Sequence, residues 1–367
     1  MSNCLNPSRE GLLCALNKAD FQKKIQGKVT DLFILKNQLG MEVAVTNYGC
    51  AILAIMVPDK KGCVANVILG HDSIDHVIQS PEPFLSTTIG RYGNRIARGR
   101  FTLDGVAYEL ATNNGPNHLH GGPTGFHARV WDAMQTAPNE VRFKYTSADG
   151  EEGFPGNLNV EMTYRVKTEC NALVIEYKAT TDKTTLVNLT NHGFFNLAGI
   201  ANPSPKVTDH LLTLHANWFV PIDEVCIPTG EIRSVMGTPM DFRTPHAIGE
   251  RIDQPDEQLI NGSGYDHCYV LNKIEPDELS LAAECVHPDS GRTMKVYTTE
   301  PGLQLYTGNW LGGFEGAHGA TFPARSAVCF EAQRFPDTPH FAHFPSATLR
   351  PGETYNQTTI YEFGIAD

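Results

Sequence analysis

The segment VEMTYRVKTECNALVIEYKA, residues 160–179, decides the fold class. Apolar residues occupy every second position from Val160 to Val166 and again from Leu173 to Tyr177. Successive side chains of a strand point to opposite faces of a sheet, so this period of two is typical of strands with one buried face. The segment therefore predicts half-buried antiparallel strands.

The same period returns along the chain between turn signals. Asp104-Gly105 separates two alternating runs in RFTLDGVAYEL and predicts a type I′ hairpin, because both central residues of that turn need a positive φ. PDKKG at 58–62 is a second candidate hairpin. Helical periodicity is confined to residues 10–25, which predict one amphipathic helix, and to short stretches such as 72–78. We therefore expect an all-β fold, a large antiparallel β-sandwich with long loops and few short helices.

Nothing in the sequence divides the chain into several domains. Its 367 residues would suffice for two average domains, but all-β sandwiches of comparable length often fold as one. There is no repeat of fixed period and no low-complexity linker. We expect an N-terminal extension over residues 1–20, containing part of the predicted helix, and a single sandwich domain over residues 21–367.

Charge and cysteine content exclude several classes of protein. The formal net charge is −12 with no block of lysine or arginine, which argues against nucleic acid and anionic membranes as partners. No apolar run approaches the roughly 18 residues of a membrane-spanning helix, and MSNCLNPSREGLL lacks the features of a signal peptide. The nine cysteines are odd in number and contain no C-x-x-C, so they indicate neither a disulfide framework nor a zinc ribbon. We expect a cytoplasmic globular protein.

Long loops on a rigid β scaffold often carry the functional site. Five polar segments are candidates: GRYGNRIARGR (90–100), NHLHGG (117–122), NLTNHGFFNLAG (188–199), GYDHCYVL (264–271) and VCFEAQRFPD (328–337). Glu331 closes an apolar strand, so it is either paired with Arg334 or a carboxylate whose pKa is raised by desolvation. His192 is either a histidine that donates to a carbonyl at a strand end or a catalytic group.

The remaining segments also leave alternatives open. His118 and His120 lie two residues apart on one face of an extended segment, a spacing that suits metal ligands, but no clear third ligand is near in sequence. Asp266 is either a turn residue or a functional acid, and Arg95 is either a surface arginine or a binding residue. A purely structural role is a reasonable explanation for each segment alone, but it is less convincing for all five segments together.

Five motifs run in order along the chain: NRIARGRFTLDGVAYEL, NHLHGG, TNHGFFNLAG, GYDHCYVL and EAQRFPDTPHFAHFPSATLRPGETY. Together they closely resemble the motifs of the aldose 1-epimerases, the galactose mutarotases. The resemblance runs from about residue 21 to the C-terminus and implies that family's single large antiparallel β-sandwich. It also implies an isomerase of hexose metabolism that interconverts α and β anomers of hexopyranoses such as galactose and glucose. No metal and no organic cofactor are implied, and the partner is a small sugar.

The resemblance assigns roles to the candidate residues. Exchange of anomers must break the bond between C1 and the ring oxygen, so it needs a base for the anomeric hydroxyl and an acid for the ring oxygen. The family's pattern makes Glu331 the base, His192 the acid and His120 a group that binds and polarises the sugar near its ring oxygen. The implied substrate-binding residues are Arg95 and Asp266, with Asn94, Gln304 and Tyr306 as further candidates.

Two departures from the family's pattern and two rival functions remain. Cys268 stands where asparagine is common, and Arg334 where histidine or asparagine is common. A retaining glycosidase would use Asp266 and Glu331 as its two carboxylates, but would leave the histidines without a role. A non-catalytic sugar-binding module on the same fold would not need both Glu331 and His192. The sequence is compatible with a monomer or a homodimer.

Overall fold

Antiparallel strands dominate the computed structural model, which describes residues 14–201 and 203–366. The largest sheet has nine strands, in the order Asp132–Ala137, Glu140–Ser147, Leu158–Val166, Ala172–Thr181, Tyr355–Ile365, Arg292–Thr298, Ser280–Val286, Leu211–Leu214 and His246–Ala247. A second sheet has six, in the order Phe194–Phe195, Val328–Gln333, Gly302–Tyr306, Asp266–Leu271, Ala216–Val220 and Arg233–Ser234. A third has four: Leu32–Lys36, Glu42–Thr46, Ile52–Pro58 and Val64–Asn66.

Shorter elements complete the described part of the chain. The two-stranded pairs are Lys24–Ile25 with Lys28–Val29, Thr88–Ile89 with Thr190–Asn191, Arg95–Ile96 with His118–Leu119, Arg100–Leu103 with Val106–Glu109, Thr185–Leu186 with Thr348–Leu349, and Phe314–Glu315 with Thr321–Phe322. The α-helices are Ile74–Ile78 and Glu257–Asn261. The 3₁₀ helices are Lys18–Phe21, Ala97–Gly99, Phe126–Ala128, Glu151–Gly153, Val207–Asp209, Ile248–Glu250, Ala317–Gly319 and Thr338–His340.

The predicted strands and hairpins are confirmed. The strands Leu158–Val166 and Ala172–Thr181 pair with each other in the nine-stranded sheet. Asp104 and Gly105 have φ angles of 50° and 81° and join two paired strands, as the predicted type I′ turn requires. The hairpin at 58–62 closes on the pair Pro58 with Val64. The all-β sandwich with few short helices is therefore confirmed.

One hydrophobic cluster takes buried residues from all three larger sheets. Hydrogen bonds across it also join the sheets, since the Tyr361 hydroxyl donates to the Phe330 carbonyl at 3.0 Å. On the strand Val328–Gln333, the alternate residues Val328, Phe330 and Ala332 belong to this core. The opposite face of the same strand therefore carries Cys329, Glu331 and Gln333 away from the core.

The N-terminal helix predicted over residues 10–25 is not present in its described part. Residues 18–21 form a single 3₁₀ turn, and Lys24–Ile25 is a strand that pairs with Lys28–Val29. Gln26 and Gly27 both have positive φ, which is the geometry of a tight hairpin and ends any helix there. The part of the predicted helix before Cys14 lies outside the described residues. In the described chain, no helix has the length and apolar character needed to span a membrane.

Candidate active site

The floor of the site is the face of the six-stranded sheet that points away from the hydrophobic core. Gln304 lies directly opposite Glu331, and Asp266 lies directly opposite Tyr306 on neighbouring strands. Residues opposite one another in an antiparallel pair project to the same face. All four therefore share one face, although they come from three separate strands.

His192 lies between the strands Thr190–Asn191 and Phe194–Phe195, where its backbone is held on both sides. Its N–H donates to the Thr87 carbonyl at 2.9 Å, and its carbonyl accepts from the Ser86 N–H at 3.1 Å. The imidazole stacks on the Phe194 ring, with centroids 4.7 Å apart and planes 9° from parallel. A Cβ at residue 193 would lie 2.7 Å from the Phe195 ring, so glycine is needed after the histidine. These contacts fix the ring at the edge of the sheet.

His120 and Asn94 lie on the loops next to the paired strands Arg95–Ile96 and His118–Leu119. The His120 ring packs edge-on against that of His192, with centroids 5.2 Å apart. His120 and Asn94 both have left-handed backbones, with φ angles of 51° and 67°, which are uncommon for residues other than glycine. The Asn94 N–H donates to His120 Nδ1 at 3.0 Å. Nδ1 is thus an acceptor, and the neutral ring carries its proton on Nε2. Burial lowers the pKa of His120 well below its usual range, which keeps the ring neutral.

A cavity of about 270 Å³ brings together seven of the eight predicted site residues. Its lining comprises Glu82, Pro83, Phe84, Asn94, Arg95, Asn114, Leu119, His120, His192, Asp266, Tyr306, Trp310 and Glu331. The exception is Gln304, which is not part of the lining and donates from Nε2 to Asp266 Oδ1 at 2.7 Å. A larger cavity of about 510 Å³, beside Arg334 and Tyr355, contains none of the predicted site residues.

The two predicted proton-transfer groups meet in this cavity. His192 Nε2 lies 3.6 Å from Glu331 Oε1, and both side chains are buried. Burial raises the pKa of Glu331 well above its usual range and lowers that of His192 to about 3. Both shifts favour the uncharged forms, in which Glu331 carries a proton and His192 does not. Glu331 Oε2 and His192 Nδ1 have no well-formed hydrogen-bond partner among the described residues.

Arg95 and Asp266 provide a second polar group in the cavity. Arg95 Nη1 lies 3.6 Å from Asp266 Oδ2, and Arg95 Nε donates to Asn114 Oδ1 at 3.0 Å. With Gln304 bound to its other oxygen, Asp266 is held in one orientation. It begins the strand Asp266–Leu271, so the alternative of a simple turn residue is wrong. Arg95 is buried, so the alternative of a surface arginine is wrong as well.

The structural alternative for Glu331, an ion pair with Arg334, is also wrong. Arg334 Nε lies 3.4 Å from Glu300 Oε2, beside the larger cavity and away from the Glu331 pair. Of the two departures from the family's pattern, Arg334 does not line the smaller cavity. Cys268 is buried on the same sheet face as Gln304, directly opposite it, and does not line that cavity either.

The structure does not bring His118 and His120 together as a pair of metal ligands. His118 Nδ1 bonds the Ala111 carbonyl at 2.8 Å. In the described residues, the donor group that contains His120 is completed by His192 and Glu331, whose ligand atoms lie within 4.8 Å of one another. A metal ion held by this donor group would therefore occupy the same atoms as the predicted proton transfer.

Some lining residues carry no signal in the sequence. Glu82 and Phe84 belong to SPEPF, a proline-rich loop whose position depends on contacts with distant segments. Trp310 had a weak signal, since it ends GLQLYTGNW, in which two other candidates were identified. Its ring is half exposed and stacks on Tyr306, with centroids 5.5 Å apart. It therefore presents an apolar surface at the cavity.

The matching family model and the similar known proteins all indicate the same family. Residues 31–362 match the family model described as aldose 1-epimerase. The chain is 44% identical to the galactose mutarotase of Bos taurus over 327 residues, 89% of this chain and 92% of the relative. It is 38% identical to the aldose 1-epimerase of Escherichia coli K12 over 339 residues, 92% and 96% of the two chains. A solved structure of a GalM/aldose epimerase homologue from C. elegans superposes with a TM-score of 0.84 at 32% identity, covering 92% and 100%.

Proposed function

Because the chain belongs to the aldose 1-epimerase family and is an isomerase, we propose that it exchanges the α and β anomers of galactose and glucose in this cavity. Glu331 and His192 carry out the proton transfers. The observation that supports these roles best is the 3.6 Å approach of His192 Nε2 to Glu331 Oε1 at the wall of the cavity. One proton shared by a base and an acid is what the reaction requires, since each step moves one proton in each direction.

With the shared proton on His192, the reaction begins with transfer of the anomeric hydroxyl proton to the Glu331 carboxylate. His192 donates a proton to the ring oxygen as the C1–O bond breaks, which leaves an open-chain aldehyde. Rotation about C1–C2 presents the other face of the carbonyl, and the reverse transfers close the ring as the other anomer. Both groups return to their starting state, so no co-reactant is consumed.

Sugar binding itself prepares the pair. The anomeric hydroxyl donates to Glu331, and a hydrogen bond to a carboxylate favours its charged form. The Arg95 guanidinium also acts to lower the pKa of Glu331. The shared proton then moves to His192, which becomes the acid. Neither Glu331 nor His192 is held in its charged form by a permanent partner. The proton can therefore move between them when a sugar binds.

The remaining residues hold the sugar. His120 presents Nε2–H to the cavity and donates towards the ring oxygen, because its Nδ1 is occupied by Asn94. Asp266 and Arg95 bind ring hydroxyls, and Gln304 acts through Asp266 as a positioning residue. Tyr306 lines the cavity together with Trp310. These contacts fix C1 against the Glu331–His192 pair.

Polarimetry tests this function against its rivals. Freshly dissolved α-D-galactose relaxes to the anomeric equilibrium faster in the presence of the protein if the proposal is right. A glycosidase would instead cleave a galactoside, which an epimerase leaves intact. A binding module would change neither signal. Cleavage without accelerated relaxation would therefore overturn the proposal.

Three expectations about the whole protein also remain proposals. The hydrophobic cluster shared by the three larger sheets and the family match over residues 31–362 support one domain over residues 21–367. A cytoplasmic location is tested by cell fractionation. A monomeric or homodimeric state is tested by light scattering on the purified protein.

A further inference from the structure

The cavity contains a third carboxylate, Glu82, to which neither the sequence nor the reaction described above assigns a role. It lies in the SPEPF loop, between the helix Ile74–Ile78 and the strand Thr88–Ile89. Its backbone carbonyl accepts from the Leu85 N–H at 3.2 Å and from Ser80 Oγ at 2.9 Å. The loop is thus a folded turn that carries Glu82 to the cavity wall.

Phe84 anchors the same loop on the catalytic side. Its ring packs edge-on against His120, with centroids 4.7 Å apart, and against His127, with centroids 4.6 Å apart. Glu82 therefore reaches the cavity from the side of the histidines, whereas Asp266 belongs to the sheet that forms the floor.

The Glu82 carboxylate has unused acceptor capacity. Its Oε1 accepts from the Phe84 N–H at 3.3 Å, and no cation pairs with the side chain in the described part of the chain. Burial raises the pKa of the carboxyl to about 7. A partly buried carboxylate without a cation is stabilised by a donated hydrogen bond, and a sugar offers several hydroxyl donors.

We propose that Glu82 is a further substrate-binding residue, which accepts a hydrogen bond from one sugar hydroxyl on the histidine side of the cavity and so contributes to substrate specificity. This inference rests on the proposed function, because it concerns the same sugar in the same cavity. A site that hydrogen-bonds a hydroxyl discriminates strongly against analogues that lack it, since its own polar group is then left unpaired.

The test crosses Glu82 variants with deoxy sugars. Glu82→Ala removes the acceptor, and Glu82→Gln keeps an oxygen that can still accept from the Phe84 N–H. Glu109→Ala is the matched control, because Glu109 is an exposed carboxylate on the hairpin Arg100–Leu103 with Val106–Glu109. Each variant is assayed with D-galactose and its 2-, 3-, 4- and 6-deoxy forms by polarimetry. Affinities for the same sugars and the 1-deoxy form are measured by calorimetry.

We expect Glu82→Ala to lower affinity and kcat/KM for galactose by about 10- to 100-fold, the usual cost of losing a hydrogen bond to a charged group. For one deoxy sugar the loss should nearly disappear, because the hydroxyl that Glu82 binds is already missing. Glu82→Gln should lie between Glu82→Ala and the unaltered protein, and Glu109→Ala should match the latter.

An equal loss across every sugar would overturn the proposal and indicate that Glu82 only supports Phe84 and His120. No loss at all would overturn it too. The calorimetric comparison does not depend on turnover, so failure of the proton-transfer roles would leave this test intact. Conversely, Glu331→Gln could lower kcat as expected while the loss in Glu82→Ala is the same for every deoxy sugar. That result would reject the Glu82 inference and leave the proposed function standing.

Discussion

Two clusters in the described chain are built from the same residue types, one carboxylate and two histidines. His120, His192 and Glu331 form the first, and a second, Asp209 with His210 and His287, lies outside the cavity. In each cluster the potential ligand atoms lie within 4.8 Å of one another. Composition and spacing alone would therefore rank the two equally as functional sites.

In the Asp209 cluster, all four ring nitrogens of the two histidines have partners within the protein. His210 Nδ1 lies 3.0 Å from Asp209 Oδ1, and His287 Nε2 lies 3.5 Å from Asp209 Oδ2. The other ring nitrogens accept from backbone N–H groups, His210 Nε2 from Leu197 and His287 Nδ1 from Ser290. The hydrogen bond with His210 lowers the pKa of Asp209. This arrangement links loop segments and leaves no group aimed at a ligand.

In the cluster of His120, His192 and Glu331, by contrast, polar atoms have no well-formed hydrogen-bond partner among the described residues. The pKa of Glu331 is raised by burial, and polar atoms of both Glu331 and His192 lack partners among the described residues. Buried polar groups are normally satisfied, so unmet ones at the wall of a cavity indicate a site that a ligand completes. The difference between the clusters lies in their surroundings and not in their residue types.

The sharpest way to break this comparison is to remove one member of each cluster. His192→Asn removes the acid, and we expect kcat to fall by about 10²- to 10⁴-fold. Asp209→Asn should leave kcat unchanged, because Asp209 only joins histidines outside the cavity. Polarimetric rates measure both. Similar losses in the two variants would show that the clusters do not differ as described.

The pH dependence of kcat/KM should follow the shared proton of the cavity pair. The active form holds one proton, so activity falls when the pair gains a second proton or loses its only one. Because the pKa of His192 is lowered to about 3 and that of Glu331 is raised, activity should persist below the usual carboxyl range and fall on the alkaline side. Initial rates corrected for spontaneous mutarotation measure this. An acid limb centred on an ordinary carboxyl pKa would contradict it.

Stability should change in opposite directions in the two clusters. The pKa of Glu331 is raised in the folded state, so its charged form costs stability as the pH rises above its unfolded pKa. Glu331→Gln should therefore raise Tm at pH 7 by about 1–3 °C. The pKa of Asp209 is lowered, so its charge stabilises the fold above its unfolded pKa, and Asp209→Asn should lower Tm slightly. Calorimetric scans that gave both variants the same sign would contradict this contrast.

The smallest expected effect is that of a chelator. Dialysis of the protein against a strong chelator should leave the mutarotation rate unchanged, because proton transfer by Glu331 and His192 needs no ion. A large loss of rate that zinc restores would show that His120, His192 and Glu331 act as metal ligands.

The sequence was sufficient for those parts of the fold that local pattern controls. Alternation predicted the strands around Val160 and Leu173, and Asp104-Gly105 predicted its hairpin. The helix over residues 10–25 was predicted from apolar spacing alone. In the described part, Phe21 is instead buried in a separate cluster with Leu53, so tertiary packing outweighed the local pattern.

The site was predictable only as far as the family motifs reach. Those motifs, together with GLQLYTGNW, identified eight residues from six segments; seven of them line one cavity, and Gln304 lies behind Asp266. Glu82 could not be identified, because nothing local to SPEPF places it near His120. Its position depends on how Phe84 packs against two distant histidines.

The roles of Glu331 and Asp266 can be separated by one measurement, the kcat and sugar affinity of Glu331→Gln beside those of Asp266→Asn. Glutamine keeps the shape of Glu331 but not its basicity. We expect kcat to fall by about 10²- to 10⁴-fold, roughly 3–5 kcal/mol of barrier, with calorimetric affinity nearly unchanged. Asp266→Asn should reduce affinity and rate together. If Glu331→Gln kept a near-normal rate while Asp266→Asn abolished it with affinity intact, Asp266 would be the base and the assignment of Glu331 would be wrong.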